Sequence, residues 1–172
     1  SQASDILGVR LNIEHSFIGD INISLICPNN RSVLLMPDHN GNNGYYFGLY
    51  YEPDGSYCNA SDNTPGTGWN YCWSENSTYA QLNGYCYNSN NIGNMVSSTV
   101  VSSTVARGYP GQPGFQQGIK YYTPYQSFSN LIGCPLNGLW QIQVCDTWSQ
   151  DNGYIFSWEL TLDPTLMPQD WT

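Results

Sequence analysis

The chain has 172 residues, of which 10% are charged, and its 13 acidic and 4 basic side chains give a net charge of -9. This length fits one domain with a buried core. The scarcity of Lys and Arg excludes nucleic acid and anionic lipid as electrostatic partners, because basic side chains must neutralise their phosphates. The sequence has no run of about 18 apolar residues, so it predicts no membrane span.

The start of the chain alternates apolar and polar side chains with a period of two, which is typical of strands with one buried face. The first predicted strand buries Val9, Leu11, Ile13 and His15. The second buries Ile21, Ile23, Leu25 and Cys27. After a break at Pro28, residues Arg31–Met36 are predicted to form a third strand, in a hairpin with the second.

Residues 37–126 are rich in Asn, Gly and Tyr and show little periodicity, which predicts a long irregular insertion. Within it, Tyr45–Tyr51 and Met95–Val105 are predicted strands, and Arg107–Gly118 is predicted coil. Asn59–Asn76 is predicted to be irregular surface structure held by a local disulfide. No segment shows a period of about 3.6, so helix should be minor.

The last third of the chain predicts two more strands around an acidic loop. One face of the first strand carries Trp140, Ile142, Val144 and Asp146, and one face of the second carries Phe156, Trp158, Leu160 and Leu162. The loop contains Asp146 and Asp151 and turns at Asn152–Gly153. Short strands separated by turns indicate an all-β jelly-roll sandwich or barrel, which we assign to residues 1–163, with a tail at 164–172.

Two separated blocks resemble a known family. The first is His15-Ser-Phe-Ile-Gly-Asp20-Ile-Asn-Ile-Ser-Leu25-Ile-Cys-Pro28 with the hairpin that follows it. The second is Gly138-Leu-Trp140-Gln-Ile-Gln-Val-Cys-Asp146, then Asp151-Asn-Gly153 and Phe156-Ser-Trp158-Glu-Leu160. Together they resemble the P domain (P/Homo B) of proprotein convertases, in the variant of secreted bacterial surface proteins. The match departs at Cys27, where the family has Ser, and in the longer middle region.

The resemblance implies a non-catalytic accessory module of a secreted or cell-surface protein. Its partners would be neighbouring domains of the same polypeptide, including a subtilisin-like serine endopeptidase domain that the module stabilises or regulates. Similar bacterial P domains are associated with calcium, and the P-domain fold brings the first and last blocks together. Asp20, Asp146 and Asp151 are therefore candidate calcium ligands, because calcium takes carboxylate oxygens. The alternative is that these aspartates accept hydrogen bonds from backbone amides in turns.

The six cysteines are an even set that permits three disulfides: Cys27, Cys58, Cys72, Cys86, Cys134 and Cys145. We interpret them as evidence for an oxidising, extracytoplasmic compartment. The pairing stays open. Strand parity argues against joining Cys27 to Cys145, and at least one bridge should tie the insertion to the sandwich. Zinc is disfavoured, because the sequence has no Cys-x-x-Cys pair.

The aromatic side chains of the insertion suggest an alternative function as a carbohydrate- or protein-binding adhesion module. The candidate ligand-binding residues are Trp69, Trp73, Tyr50 and Tyr51. The competing interpretation is that they form the insertion's own core. We predict no catalytic residues and no enzyme activity for the segment itself. The two histidines, His15 and His39, accompany no Gly-x-Ser-x-Gly motif, and no pair of acids is specified for glycoside hydrolysis.

Overall fold

The computed structural model describes residues 5–38, 47–48, 64–75 and 119–166. These residues form seven strands: β1 Ile6–His15, β2 Ile21–Ile26, β3 Ser32–Met36, β4 Trp69–Trp73, β5 Ile119–Tyr122, β6 Gln141–Asp146 and β7 Gly153–Leu162. Three short 3₁₀ turns accompany them: Ile18–Asp20, Phe128–Leu131 and Pro164–Leu166. The described part of the chain contains no α-helix, so the all-β prediction is confirmed.

The strands form two sheets that enclose one core. The first sheet has the order β5-β4-β1-β7 and the second has the order β3-β2-β6. All the pairings are antiparallel except that of β4 with β5, which is parallel. Short connections lead from β1 in the first sheet to β2 in the second, and from β6 in the second sheet to β7 in the first. Each sheet therefore contains strands from both the N-terminal and the C-terminal part of the chain.

The alternation of apolar side chains places the core between the sheets, as predicted. One cluster contains inward-facing residues of β1 and β2, all fully or almost fully buried: Val9, Leu11, Ile13, Ile21, Ile23 and Leu25. Full burial of such a side chain contributes about 1.5–3 kcal/mol of hydrophobic free energy. Trp140 and Trp158 are half-buried and pack against the same cluster.

The β2–β3 hairpin is confirmed, and its turn contains a residue with positive φ that is not glycine. Asn30 has a φ of 65°, a conformation that Asn tolerates better than most residues. The backbone amide of Cys27 donates to the carbonyl of Arg31 at 2.9 Å, which closes the turn. Cys27 is also disulfide-bonded to Cys134, with 6.1 Å between their Cα atoms. The bond ties the end of β2 to the segment that precedes β6.

The prediction of irregular structure over Asn59–Asn76 is wrong at Trp69–Trp73, which form β4. Trp69, Tyr71 and Trp73 pair with the buried residues of β1 and point into the core. The Trp-Asn-Tyr-Cys-Trp stretch therefore alternates as a strand, although it lies in a region rich in turn residues. The pairing of β4 with β1 and the burial of its three large rings outweigh the preference of the flanking residues for turns.

A second correction concerns Phe156, for which the sequence predicts the same buried face as Trp158. Asn12 pairs with Ser157 and Ile13 pairs with Ile155, so Phe156 is an extra residue in the β1–β7 ladder. It is 46% exposed, and its ring covers Gly68, where a Cβ atom would lie 2.3 Å from Phe156 Cδ2. A bulge of this kind turns one side chain to the other face of the sheet.

Several predictions concern residues outside the described part of the chain. These are most of Tyr45–Tyr51, all of Met95–Val105 and Arg107–Gly118, and the cysteines Cys58 and Cys86. Phe47 is described and forms an isolated bridge with His15. The division into residues 1–163, with a middle region at 37–126, and a tail at 164–172 stays a prediction.

Candidate functional site

Among the described residues, several buried ionisable side chains lie at one end of the sandwich, which we call the acidic end. β1 finishes there at His15, the 3₁₀ turn that precedes β2 ends at Asp20, and β6 finishes at Asp146. Asp151 lies in the loop between β6 and β7. The opposite end, where β2 finishes at the Cys27–Cys134 bond, we call the disulfide end.

Asp20 and Asp151 are the buried centre of the acidic end. Their exposed fractions are 3% and 8%, and Asp151 is, after burial, the group with the strongest effect on the pKa of Asp20. Asp151 Oδ1 also accepts a hydrogen bond from Ser16 Oγ at 3.3 Å. The backbone carbonyl of Asp20 accepts two bonds from Thr147, from its amide and its hydroxyl, each at 2.9 Å. Side chain and backbone contacts therefore join the Asp20 turn to the β6–β7 loop.

The surroundings of Asp20 disfavour its charged form. Burial is the largest cause, followed by the hydrogen bond to Asp151 and by the negative charges of Asp151, Asp146 and Asp38. Together they raise the pKa of Asp20 from 3.8 to about 6. Asp38 is held near this end by Asn22, whose side chain amide donates to Asp38 Oδ2 at 3.1 Å.

His15 is buried beside the same carboxyl groups. Its Nε2 lies 3.5 Å from Asp146 Oδ2, and its Nδ1 lies against the backbone of Phe17. Burial lowers the pKa of His15 below 6.5, while the charges of Asp146 and Asp151 act in the opposite direction. Because the lowering is the stronger effect, the imidazole is neutral at pH 7 and does not compensate the carboxylates. The sequence showed His15 on a buried face but not its contact with Asp146.

The calcium hypothesis can be compared with this geometry. The structure brings Asp151 and Asp146 close enough to Asp20 to raise the pKa of Asp20. Asp146 Oδ1 accepts a hydrogen bond from the backbone amide of Trp148 at 2.9 Å, which is the turn role weighed as the alternative. Within the described ranges, no group of three or more His, Cys, Asp or Glu side chains is arranged to hold a metal ion. Calcium binding by Asp20, Asp146 and Asp151 stays a prediction from the resemblance.

The predicted aromatic binding surface is not present at the two tryptophans. Trp69 and Trp73 are 1% and 0% exposed, so neither ring offers a face on which a sugar or peptide could stack. They are core side chains of β4, which corrects their assignment as ligand-binding residues. Tyr50 and Tyr51 lie outside the described residues.

The structure also limits how the cysteines pair. Cys72 pairs with Arg10 on the outer face of the first sheet, whereas Cys145 pairs with Asn22 on the outer face of the second. Neither is in a disulfide in the structure. Two core-forming sheets about 10 Å apart separate these side chains, which is too far for a direct bond between them. Burial raises the pKa of the Cys72 thiol to about 11, so it stays protonated at neutral pH.

Two sheets, paired mostly antiparallel and linked by the short connections between β1 and β2 and between β6 and β7, define an all-β domain. The family model of the proprotein convertase P-domain matches residues 4–77, which contain β1 to β4. The match confirms the resemblance found in the sequence for these residues, and P domains are accessory domains of subtilisin-like proteases. No curated protein and no solved structure matches the chain.

The described residues include no helix of the length and apolar character that a membrane span requires.

Proposed function

We propose that this chain is a non-catalytic accessory module of a secreted or cell-surface protein, which stabilises or regulates a subtilisin-like serine endopeptidase domain in the same polypeptide. The P-domain match over residues 4–77 carries this proposal. β6 and β7 lie outside the match, yet they pair along β2 and β1. The C-terminal strands therefore complete the two sheets that the matched segment begins.

The disulfide supports an oxidising compartment. Cys27 and Cys134 are bonded across a sequence separation of 107 residues. Such bonds persist in secreted and surface proteins and are rare in the reducing cytosol. The excess of acidic over basic side chains agrees with an extracytoplasmic location but does not identify one.

The adhesion alternative has less support. It depends on four aromatic residues, and the two that the structure describes, Trp69 and Trp73, are buried. No contact among the described residues favours a glycan. We therefore keep the accessory role as the conclusion.

The test compares forms of the full-length polypeptide that contains this chain. One form is intact, one lacks residues 1–166, and one carries Leu11→Asn, which places an amide in the core. We expect the deletion and the core variant to lower the thermal stability or the activity of the protease domain. Arg10→Ala is the matched control, because Arg10 lies in the same strand but on the outer face. Unchanged stability and activity after deletion, or a polypeptide without a protease domain, would contradict the proposal.

A further inference from the structure

The side of the sandwich formed by β6 and β7 is less well covered than the rest of the core. Inward-facing side chains of β1, β2 and β3 are completely buried, as the 0% exposure of Leu11, Leu25 and Leu35 shows. Six apolar side chains in and next to β6 and β7 pack against the same cluster but are only partly buried, and we call them the open seam: Trp140, Ile142, Val144, Trp158, Leu160 and Leu162. A continuous apolar surface of this kind is typical of a site that binds another segment.

The opposite side of the sandwich differs, because a segment of the chain covers it. There Tyr125 and Gln126 donate backbone hydrogen bonds to two carbonyls of β3, at 3.0 and 2.9 Å, so they pair along its outer edge. The side chains of Phe128 and Leu131 follow and are buried. Within the described residues, by contrast, β7 pairs with β1 alone and β6 pairs with β2 alone. Each therefore has one edge that can receive a further strand.

The strand directions determine which of these two edges suits a strand from the same chain. β4 and β5 are parallel neighbours, so the connection between them, residues 76–118 outside the described part of the chain, must return from one end of the sandwich to the other. β4 ends next to Val9 at the disulfide end, and β5 begins next to Asn70 at the acidic end. A segment that makes this pass once runs antiparallel to β7, which starts at the acidic end, and parallel to β6, which finishes there. Antiparallel pairs are the more stable and the more frequent, which favours β7.

We propose that Met95–Val105 adds to the outer edge of β7 as an antiparallel strand and covers the open seam. This stretch has no charged side chain, and more than half of its residues are β-branched, which is typical of strands. Its connection to β5, residues 106–118, can extend over about 40 Å, whereas β5 and β7 are three strand spacings, or about 15 Å, apart. A second copy of the chain is the weaker occupant, because two copies that each carry a net charge of -9 repel each other.

Nuclear Overhauser effects between α-protons of the wild-type chain test the pairing directly, because opposite residues of antiparallel strands bring these protons together. We expect contacts between Met95–Val105 and Gly153–Leu162 whose order along one segment is the reverse of that along the other. Contacts to Gln141–Asp146 in parallel order, or none to β7, would overturn the proposal. Isotope-filtered spectra of mixed labelled and unlabelled chains test the other occupant. Contacts between β7 strands of two copies would also overturn the proposal.

Val100→Pro provides a second test, because proline removes one backbone donor from the proposed ladder. We expect the amides of β7 to exchange with deuterium about tenfold faster in this variant than in the wild type. Gln116→Pro is the matched control, since it places the same residue in the predicted coil at 107–118, and it should leave exchange in β7 unchanged. Equal exchange in Val100→Pro and wild type, or the same increase in both variants, would contradict the pairing. If Val100→Pro does not fold, the measurement on the wild type decides the proposal.

Discussion

At the disulfide end, β2 is followed by the covalent bond between Cys27 and Cys134, whereas at the acidic end β2 begins beside the buried carboxyl groups of Asp20 and Asp151. Both devices join segments that are more than 100 residues apart in sequence. The disulfide does not depend on pH in the physiological range, but the ionisation of Asp20 does, because its pKa is raised to about 6. The two ends therefore differ in how they depend on pH.

The largest expected effect comes from breaking the disulfide end. The double variant Cys27→Ala/Cys134→Ala lacks the cross-link. Removal of a disulfide that closes a loop of this length lowers the free energy of unfolding by about 2–5 kcal/mol. We expect the loss in chemical denaturation to be the same at pH 5 and pH 8. A loss that varies strongly with pH would mean that the two ends are coupled. Cys145→Ala is the matched control, since this exposed cysteine is not in a disulfide, and it should change stability little.

Peptide mapping under non-reducing conditions tests the same end without a mutation. We expect a fragment that joins Cys27 to Cys134, and no fragment that joins Cys72 directly to Cys145, because these lie on opposite outer faces. Detection of a Cys72–Cys145 bond would contradict the arrangement of the two sheets.

Alanine substitutions at one glycine of each end compare how tightly the two ends are packed. A Cβ atom at Gly153, at the acidic end, would lie 2.5 Å from the carbonyl of Glu14 and 2.3 Å from His15 Cδ2. At Gly138, at the disulfide end, it would lie 2.8 Å from the side chain of Pro28, and the φ of 130° is itself strained for other residues. We expect Gly153→Ala and Gly138→Ala each to cost about 1–3 kcal/mol in unfolding free energy. Only Gly153→Ala should also alter the pH dependence of melting.

The smallest expected effect lies on the outer face of the first sheet, away from both ends. Arg10 and Glu159 form an ion pair, but their side chains are 43% and 52% exposed. An exposed pair contributes about 0–1 kcal/mol, because water and salt screen it. Arg10→Ala should therefore shift the denaturation midpoint slightly, and less at high salt. A shift as large as that of the disulfide variant would show that the face is packed against another part of the protein.

The sequence predicted the strands better than the contacts between them. The alternation of Val9, Leu11 and Ile13 predicted a strand, and so did the spacing of Ile142 and Val144, because a period of two is typical of strands with one buried face. The bulge at Phe156 was not visible, since one extra residue depends on the register of a partner strand far away in sequence. β4 was missed because its short run lies among turn residues.

The candidate site was predicted in its residues but not in its chemistry. Asp20, Asp146 and Asp151 were selected together because the P-domain resemblance placed both ends of the chain side by side. Whether such acids bind calcium depends on side chain directions and burial, which no spacing in the sequence reports. His15 illustrates the same limit, because its buried face was predicted while its contact with Asp146 arises from the pairing of β2 with β6.

The most direct measurement of the difference between the two ends is a carboxyl ¹³C NMR titration of the folded chain, with Asp20 assigned through its asparagine variant. We expect Asp20 to titrate near its raised pKa of about 6, while the pKa of Asp163 lies below 3.8. A chemical shift of Asp20 that titrates near 3.8 would contradict the account of the acidic end.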